Sequence, residues 1–593
     1  MARRLLAIRA LVLLAFVVIL ARLVQLQVVE GAHNRKLADE NRIRVTRRLA
    51  PRGQIRDRSG EVLAASRLAF SVCVVPEEFG AGHSAEPVSA LADLVDLPAA
   101  QLRTILDEPH PGRAVYEPLV VHRDASPSAV ARLEEHAAYL TGVSVVTDAV
   151  RQYPHKSLAS HVIGYVREIG PEELQRPEYA GYRPRDLIGK AGVEKVAERA
   201  LRGVDGGDQI EVDARGRRVR TLGTVAPEPG HDVWLTIDAG IQQAAEEALG
   251  DRAGAVVALD PWTGDILALA SHPTYDLNIF SGALTPEKWR ALTGPGEPQH
   301  NRAITACYPP GSVFKIVTAA AALEAGVVNE RSRYLCTGVL RLGGWRLRCW
   351  KRTGHGTVDF LRGFAQSCNV MFATLGRDVG ADRLAEMARN LGLGERTGIE
   401  LPQEAAGLVP SPDWKRRVRH QAWFPGDTCQ MAIGQGEVLV TPLQIARMVA
   451  VIANGGQLVR PHVIAKIEGY DDYVPPSIER RVGLRPETIA LIRAGMEGVV
   501  SPGGTASRIA TPKYKIAGKT GTAEAPGGQP HAWFAGFAPA DHPRIAVAVI
   551  VEHAGGGSVN AAPIARHVFD AAILPAEERT PWTPPKVTVA AAH

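Results

Sequence analysis

Tyr308-Pro309-Pro310-Gly311-Ser312-Val313-Phe314-Lys315, running into Ile316 to Leu323, is the stretch on which the reading turns. Two prolines and a glycine end whatever precedes them, and the alanine-rich apolar run after Lys315 is good helix material. Ser312 and Lys315 therefore fall on the first turns of a helix, three residues apart and on one face. A serine hydroxyl is a poor nucleophile until a neighbour takes its proton. A lysine does so when low dielectric or a second cation lowers its pKa. The helix N-terminus favours the negative charge that develops near Ser312.

Two further motifs follow in order. In Ser367-Cys368-Asn369, the serine is suited to relay a proton to a leaving group. The asparagine is suited to orient the lysine and a substrate amide. Lys519-Thr520-Gly521-Thr522 comes after the strand-like Tyr514-Lys515-Ile516-Ala517. Gly521 admits a substrate backbone close to an edge strand, Lys519 brings positive charge, and the hydroxyls of Thr520 and Thr522 suit a terminal carboxylate. Backbone N–H groups of Ser312 and Thr522 would form the oxyanion hole. Each motif alone is weak: S-x-x-K is otherwise an ordinary amphipathic helix, and K-T-G otherwise a turn. In this order they match the serine-acylating penicillin-binding proteins and β-lactamases. The set calls for no cofactor.

Working outward, the 593 residues exceed what one core organises, so two or more domains are expected. Hydrophobic residues at 46% and charged ones at 22% exclude a disordered chain. A net charge of +5 from 68 basic and 63 acidic side chains, with no basic run interleaved with aromatics, points away from nucleic acid. Six cysteines are too few for a disulfide scaffold. Near the N-terminus, Arg3, Arg4 and Arg9 precede the uncharged Ala10 to Ala21. Ala7 to Val28 is long enough to span a bilayer if Arg9 and Arg22 snorkel. A cleaved signal peptide is the competing reading, but no clear A-x-A site follows. The arginines then lie in the cytoplasm and the rest of the chain outside, on a single-pass inner-membrane protein.

Between anchor and catalytic motifs, Asp57 to Gly60 suits a hairpin turn before Val62 to Ala64, and Phe70 to Val75 suits a strand. Helix is expected from Pro87 to Leu106 with a break near Pro98. The Pro-rich Val225 to Gly230 marks a boundary. Beyond it come a strand at Val233 to Ile237, a helix capped by Asp238, and a hairpin of Ala255–Leu259 with Ile266–Ala270. The Pro-rich end is expected to be loose. These signals divide the chain at 1–30 (anchor), 31–228, 229–575 and 576–593 (tail).

The sequence resembles the class B high-molecular-weight penicillin-binding proteins from the anchor to about residue 570. Arg52 to Gly60, Arg151-Gln152-Tyr153-Pro154 with His161 to Tyr165, and Gly189 to Glu194 look like that family's three non-catalytic motifs. Gly434-Gln435-Gly436 and His531-Ala532-Trp533-Phe534 look like transpeptidase-domain segments. The resemblance implies a β-rich pedestal domain followed by an α/β (α+β) transpeptidase domain, its antiparallel sheet flanked by helices. It implies attack by Ser312 on a D-Ala-D-Ala stem peptide, cross-linking of peptidoglycan, and trapping by β-lactams. It also implies partnership with a SEDS-family glycan polymerase of the rod system. Within the class the chain looks most like the elongation enzyme, with the division-specific enzyme as runner-up. A β-lactamase or penicillin sensor, and a mainly regulatory partner of the polymerase, are the rivals from other classes.

Cys336, Cys349, His355 and Cys368 are spaced C-x12-C-x5-H-x12-C. Three thiolates and an imidazole make a standard closed set for structural zinc, and Cys368 sits inside the second catalytic motif. Some elongation-type relatives place metal ligands at similar positions. A disulfide between two of these cysteines, or three inert buried thiols, are the other readings.

Overall fold

A computed structural model describes residues 2–31, 43–76, 78–79, 85–107, 118–137, 139–212, 218–282, 284–471, 473–475 and 477–584. The N-terminal helix Ala2–Val24 continues as a π-helical turn, Gln25–Val29. Its segment Ile8–Val29 is exposed and has mean hydropathy 2.4, so it is long and apolar enough to cross a membrane.

The first ten strands are β1 (Ile43–Arg48), β2 (Ile55–Arg56), β3 (Val62–Val74), β4 (Leu119–Ala125), β5 (Val143–Gln152), β6 (Val166–Glu168), β7 (Leu187–Gly189), β8 (Gly206–Val212), β9 (Arg218–Val225) and, past the boundary at 228, β10 (Val233–Leu235). The Asp57 carboxylate accepts from Ser59 and Glu61 N–H groups and closes the expected hairpin between β2 and β3. β3 is long enough to serve two cores. Its first half, with Leu63 and Ala64, joins the main core. Its second half packs with β4, β5 and the helices Ala85–Leu94, Ala99–Asp107 and Pro127–His136 around Val72, Leu91, Leu102 and Leu133. The two helices fall on either side of Pro98, where the sequence put the break. β1, β8 and β9 form a separate three-stranded sheet.

The catalytic half adds β11 (Gly254–Leu259), β12 (Ile266–His272), β13 (Arg333–Cys336), β14 (Val339–Leu342), β15 (Trp345–Arg348), β16 (Gly356–Asp359), β17 (Gln457–Val459), β18 (Ile464–Ile467), β19 (Ile478–Arg481), β20 (Ala517–Ala523), β21 (His531–Ala538) and β22 (Ile545–Val551). Five of these make an antiparallel sheet in the order β12-β11-β22-β21-β20. Helices Ala239–Leu249 and Ala562–Ile573 cover it on one side, and Pro442–Ala453 packs against β11, β21 and β22 as well. With both faces covered, β11 and β22 are buried at every position, which is why they read as unbroken apolar runs rather than alternating ones. Asp238 caps its helix, accepting from Gly240 and Ile241.

Three local expectations change. The strand expected through Ile237 ends at Leu235, because Asp238 already caps the following helix. The lysine-threonine-glycine motif does not follow a strand at Tyr514–Ala517; it lies inside β20, the edge strand. And one six-stranded sheet, β18-β10-β2-β3-β4 with β5 on β3, runs across the boundary read at residues 228 and 229. Of the expected loose tail, Ala576–Glu578 forms a 3-10 turn and the Trp582 ring packs at a tilt against His567, while 585–593 lie outside the described residues.

Candidate active site

Gly311–Phe314 is a single 3-10 turn leading into the α-helix Lys315–Glu324. Gly311 takes φ +53°, and a Cβ there would stand 2.8 Å from the Thr522 carbonyl oxygen. That contact is what brings Ser312 against β20. Gly434 supports the turn from the other side: its carbonyl accepts from Gly311 N–H at 2.9 Å, and any Cβ would meet the Gly311 carbonyl at 2.1 Å. Trp533 of β21 donates to the Pro309 carbonyl at 3.0 Å. In the sequence both segments stand out only by resemblance; these contacts are their physical tasks.

The Lys315 side chain is fully buried. Its ammonium group donates to the Ser367 carbonyl at 2.9 Å, to Ser367 Oγ at 3.1 Å and to Asn369 Oδ1 at 2.7 Å, 5.5 Å from the Phe372 ring centroid. Lys519, also fully buried, donates to Ser367 Oγ at 2.8 Å and to the Thr520 carbonyl at 3.0 Å. Ser367 is held at φ +52°, a left-handed conformation that a serine adopts only when its surroundings impose it. Thr520 Oγ1 lies 2.7 Å from Thr505 Oγ1, a residue that nothing in the sequence singles out. Gln435 Nε2 reaches the Thr522 carbonyl at 3.5 Å.

Two buried amines on one hydroxyl cannot both remain comfortably charged. Burial pushes Lys315 down to about 8, against the pull of the Cys368 and Cys349 sulfurs. Burial, then the charge of Lys315, drives Lys519 well below the usual lysine range. A neutral Lys315 can accept a proton, so acylation by labelled penicillin should gain about tenfold per pH unit until about pH 8 and then level off. A flat profile from about pH 6 to about pH 9 would remove Lys315 from the role of base.

Behind Ser367 the small pairs β13–β16 and β14–β15 gather the four sulfur and imidazole groups. Cys336, Cys349, His355 and Cys368 are all buried, and one ligand atom from each lies within 4.8 Å of the others. His355 Nδ1 stands 3.6 Å from Cys336 Sγ and 3.5 Å from Cys349 Sγ. A tetrahedral zinc with bonds of about 2.3 Å to sulfur and about 2.0 Å to nitrogen has sulfur–nitrogen edges of about 3.5 Å, so the set fits the ion. None of the six cysteines is paired in a disulfide. Hydrogen bonding from Cys368 holds Cys349 down to about 4, as a thiolate, and burial keeps His355 neutral. A thiolate and a neutral imidazole are ligating forms; the same hydrogen bond, with burial, pushes Cys368 far above the ordinary thiol range, so this ligand would release its proton on binding a metal. Cys368 also caps the helix Asn369–Val379, its sulfur accepting from Met371 N–H.

The model of the penicillin-binding protein transpeptidase domain matches residues 254–570, and that of the penicillin-binding protein dimerisation domain matches 47–235. The chain belongs to the class B penicillin-binding proteins. The peptidoglycan D,D-transpeptidase MrdA of Acinetobacter baumannii is 34% identical over 581 residues, covering 94% of this chain and 86% of the relative. The solved penicillin-binding protein PBP2 of Helicobacter pylori, in complex with MreC, superposes with a TM-score of 0.79 at 28% identity, covering 89% of this chain and 99% of that one. A chain from a peptidoglycan synthase complex, described as coordinating polymerization and crosslinking, gives 0.72 at 34% identity, covering 97% and 99%. Among class B proteins the similarity is thus to the PBP2 type, in line with the elongation reading of the sequence.

Proposed function

We propose that this chain is a peptidoglycan D,D-transpeptidase of cell elongation with Ser312 as its nucleophile. The observation that carries the residue roles is the sharing of Ser367 Oγ by Lys315 and Lys519, which ties all three motifs into one proton network. Ser312 Oγ attacks the carbonyl carbon of the penultimate D-alanine, and its proton passes to Lys315. The Ser312 and Thr522 N–H groups receive the developing oxyanion. As the C–N bond breaks, Ser367 hands a proton to the departing D-alanine nitrogen and is reprotonated from the lysine network. Asn369 orients Lys315 and the substrate amide. Lys519, Thr520 and Thr522 receive the terminal carboxylate, and Gly521 lets the stem peptide lie along β20. An amine of a second stem then attacks the ester, forming the cross-link and freeing Ser312. A β-lactam enters by the same attack but leaves no departing amine, so the ester persists. The test is the full-length protein with labelled penicillin: it should form one adduct per chain and hydrolyse the drug only slowly. Rapid steady hydrolysis would instead make the chain a β-lactamase.

The helix at Ile8–Val29 would anchor the protein once in the cytoplasmic membrane, with residues 31–228 as pedestal, 229–575 as transpeptidase domain and 576–593 as tail. A SEDS-family polymerase is the proposed partner; the similarity to a chain of a peptidoglycan synthase complex supports it.

Zinc is proposed as a structural ion on Cys336, Cys349, His355 and Cys368. It would pin Cys368 from behind and so hold Ser367 in its left-handed conformation. Zinc analysis of purified protein should approach one equivalent. Losing two ligands in a Cys349→Ser, His355→Ala variant should remove the metal, lower thermal stability and slow penicillin acylation. Less than about a tenth of an equivalent in the parent protein, with acylation unchanged in the variant, would end the zinc reading.

A further inference from the structure

The pedestal holds a cavity of about 70 Å³ whose wall carries five arginines. Arg47 at the end of β1, Arg52 in the turn before β2, Arg123 on β4, Arg151 on β5 and Arg202 before β8 all line it. Only two carboxylates, Asp186 and Asp205, share the wall, which leaves three positive charges in excess there. Asp186 and Asp205 are taken by Arg47, with Arg202 further off at 3.5 and 3.6 Å. The acids that balance the others do not line the cavity: Glu194 and Glu198 bind Arg52, Glu194 binds Arg151, and Asp148 binds Arg123. In Arg151 and Arg123 these contacts leave one buried N–H group each without an acceptor among the described residues.

Arg151 is 3% exposed; its Nε donates to Glu194 and its Nη1 to the Gly53 carbonyl, while Nη2 is buried with no protein acceptor. Arg123 donates from Nη1 to Asp148, and its Nε is likewise buried without one. A buried N–H with no acceptor is costly enough that few are left so, and two from different strands on the wall of one cavity point to a common acceptor. Liquid water occupies about 30 Å³ per molecule, so the space suits two waters or one tetrahedral oxyanion. Planar guanidinium forks match the oxygens of such an anion.

We propose that this cavity is an oxyanion site of the pedestal, taking one phosphate-sized anion: a free inorganic ion or the terminal phosphoryl group of an ester. Bound there, the anion would tie together β1, the turn before β2, β4 and β5. It would thereby fix the N-terminal strand β1 to the rest of the pedestal by a single ion. This is independent of the transpeptidase reading and of the zinc reading.

The experiment uses full-length protein in detergent at constant ionic strength, with chloride as the balancing anion. Radiolabelled inorganic phosphate is followed by equilibrium dialysis, and glycerol 1-phosphate is run as a competing arm. The expected result is one equivalent of phosphate bound, with a saturable rise of about 2–4 °C in the unfolding temperature. Both effects should be lost in Arg123→Gln. They should also be lost in Ser66→Asp, where a carboxylate placed on the cavity wall would answer the free N–H groups from within. Displacement of the label by glycerol 1-phosphate assigns the site to phosphate esters as well; failure to displace it assigns the site to the free ion. Phosphate binding no better than chloride, or equal phosphate binding in the parent and in a folded Ser66→Asp protein, would overturn the proposal.

Discussion

Penicillin labelling is expected to vanish in a Ser312→Ala protein and to fall by about four to six orders of magnitude in Lys315→Ala. Under the proposed mechanism the first change removes the atom that forms the ester. The second removes the group proposed to take its proton, while the second amine, Lys519, is committed to Ser367 Oγ and the Thr520 carbonyl. Catalytic groups that act as a unit lose nearly everything when either is removed, and Lys315, Ser367 and Lys519 share one hydrogen-bond network. Mass spectrometry after incubation with a labelled β-lactam measures both variants. An adduct on Ser312→Ala at the parent's rate would place the nucleophile elsewhere.

A Glu194→Gln protein should lose about 3–5 kcal/mol of stability, the usual cost of breaking one side of a buried ion pair. Glu194 is wholly buried and binds Arg52 Nε and Arg151 Nε, each at 2.6 Å. Glutamine keeps the shape but leaves two guanidinium groups short of charge. Burial by itself would raise the Glu194 carboxyl; Arg151 and Arg52 more than offset this and hold it below its ordinary value of 4.5. A depressed carboxyl contributes stability that is present above its unfolded pKa and lost as pH falls through the folded one. Acid unfolding should therefore begin below about pH 4.5 in the parent, and the Glu194→Gln protein should lack that part of the slope. Thermal unfolding across acid pH checks both statements. A variant as stable as the parent at neutral pH would mean the pair is not a brace of the pedestal.

Much of the catalytic site was legible in the sequence because its parts are local. Ser312 and Lys315 share a helix face, Ser367 and Asn369 share a turn, and Lys519 to Thr522 share a strand. Spacing alone places such neighbours, since helix and strand periods are fixed by backbone geometry. Legibility stopped where meaning depends on a partner far along the chain. Thr505 is one of many threonines until β20 brings Thr520 to it. Gly434 looks like any turn glycine until Gly311 is found packed on it. Nothing in the sequence brings Arg47, Arg52, Arg123, Arg151 and Arg202 together, yet the five line one cavity.

The sequence by itself determined the order of the motifs, the apolar N-terminal helix, the turn at Asp57, the helix cap at Asp238 and the membership of the cluster of Cys336, Cys349, His355 and Cys368. Tertiary structure alone decided that two lysines 204 positions apart meet on one serine, that this serine is held in a left-handed conformation, and that β10 and β18 carry the pedestal sheet into the catalytic half. The division follows from range. Propensity and capping act over a few residues and are written into the chain. Contacts across hundreds of residues come from the packing of whole faces, which depends on every element they join.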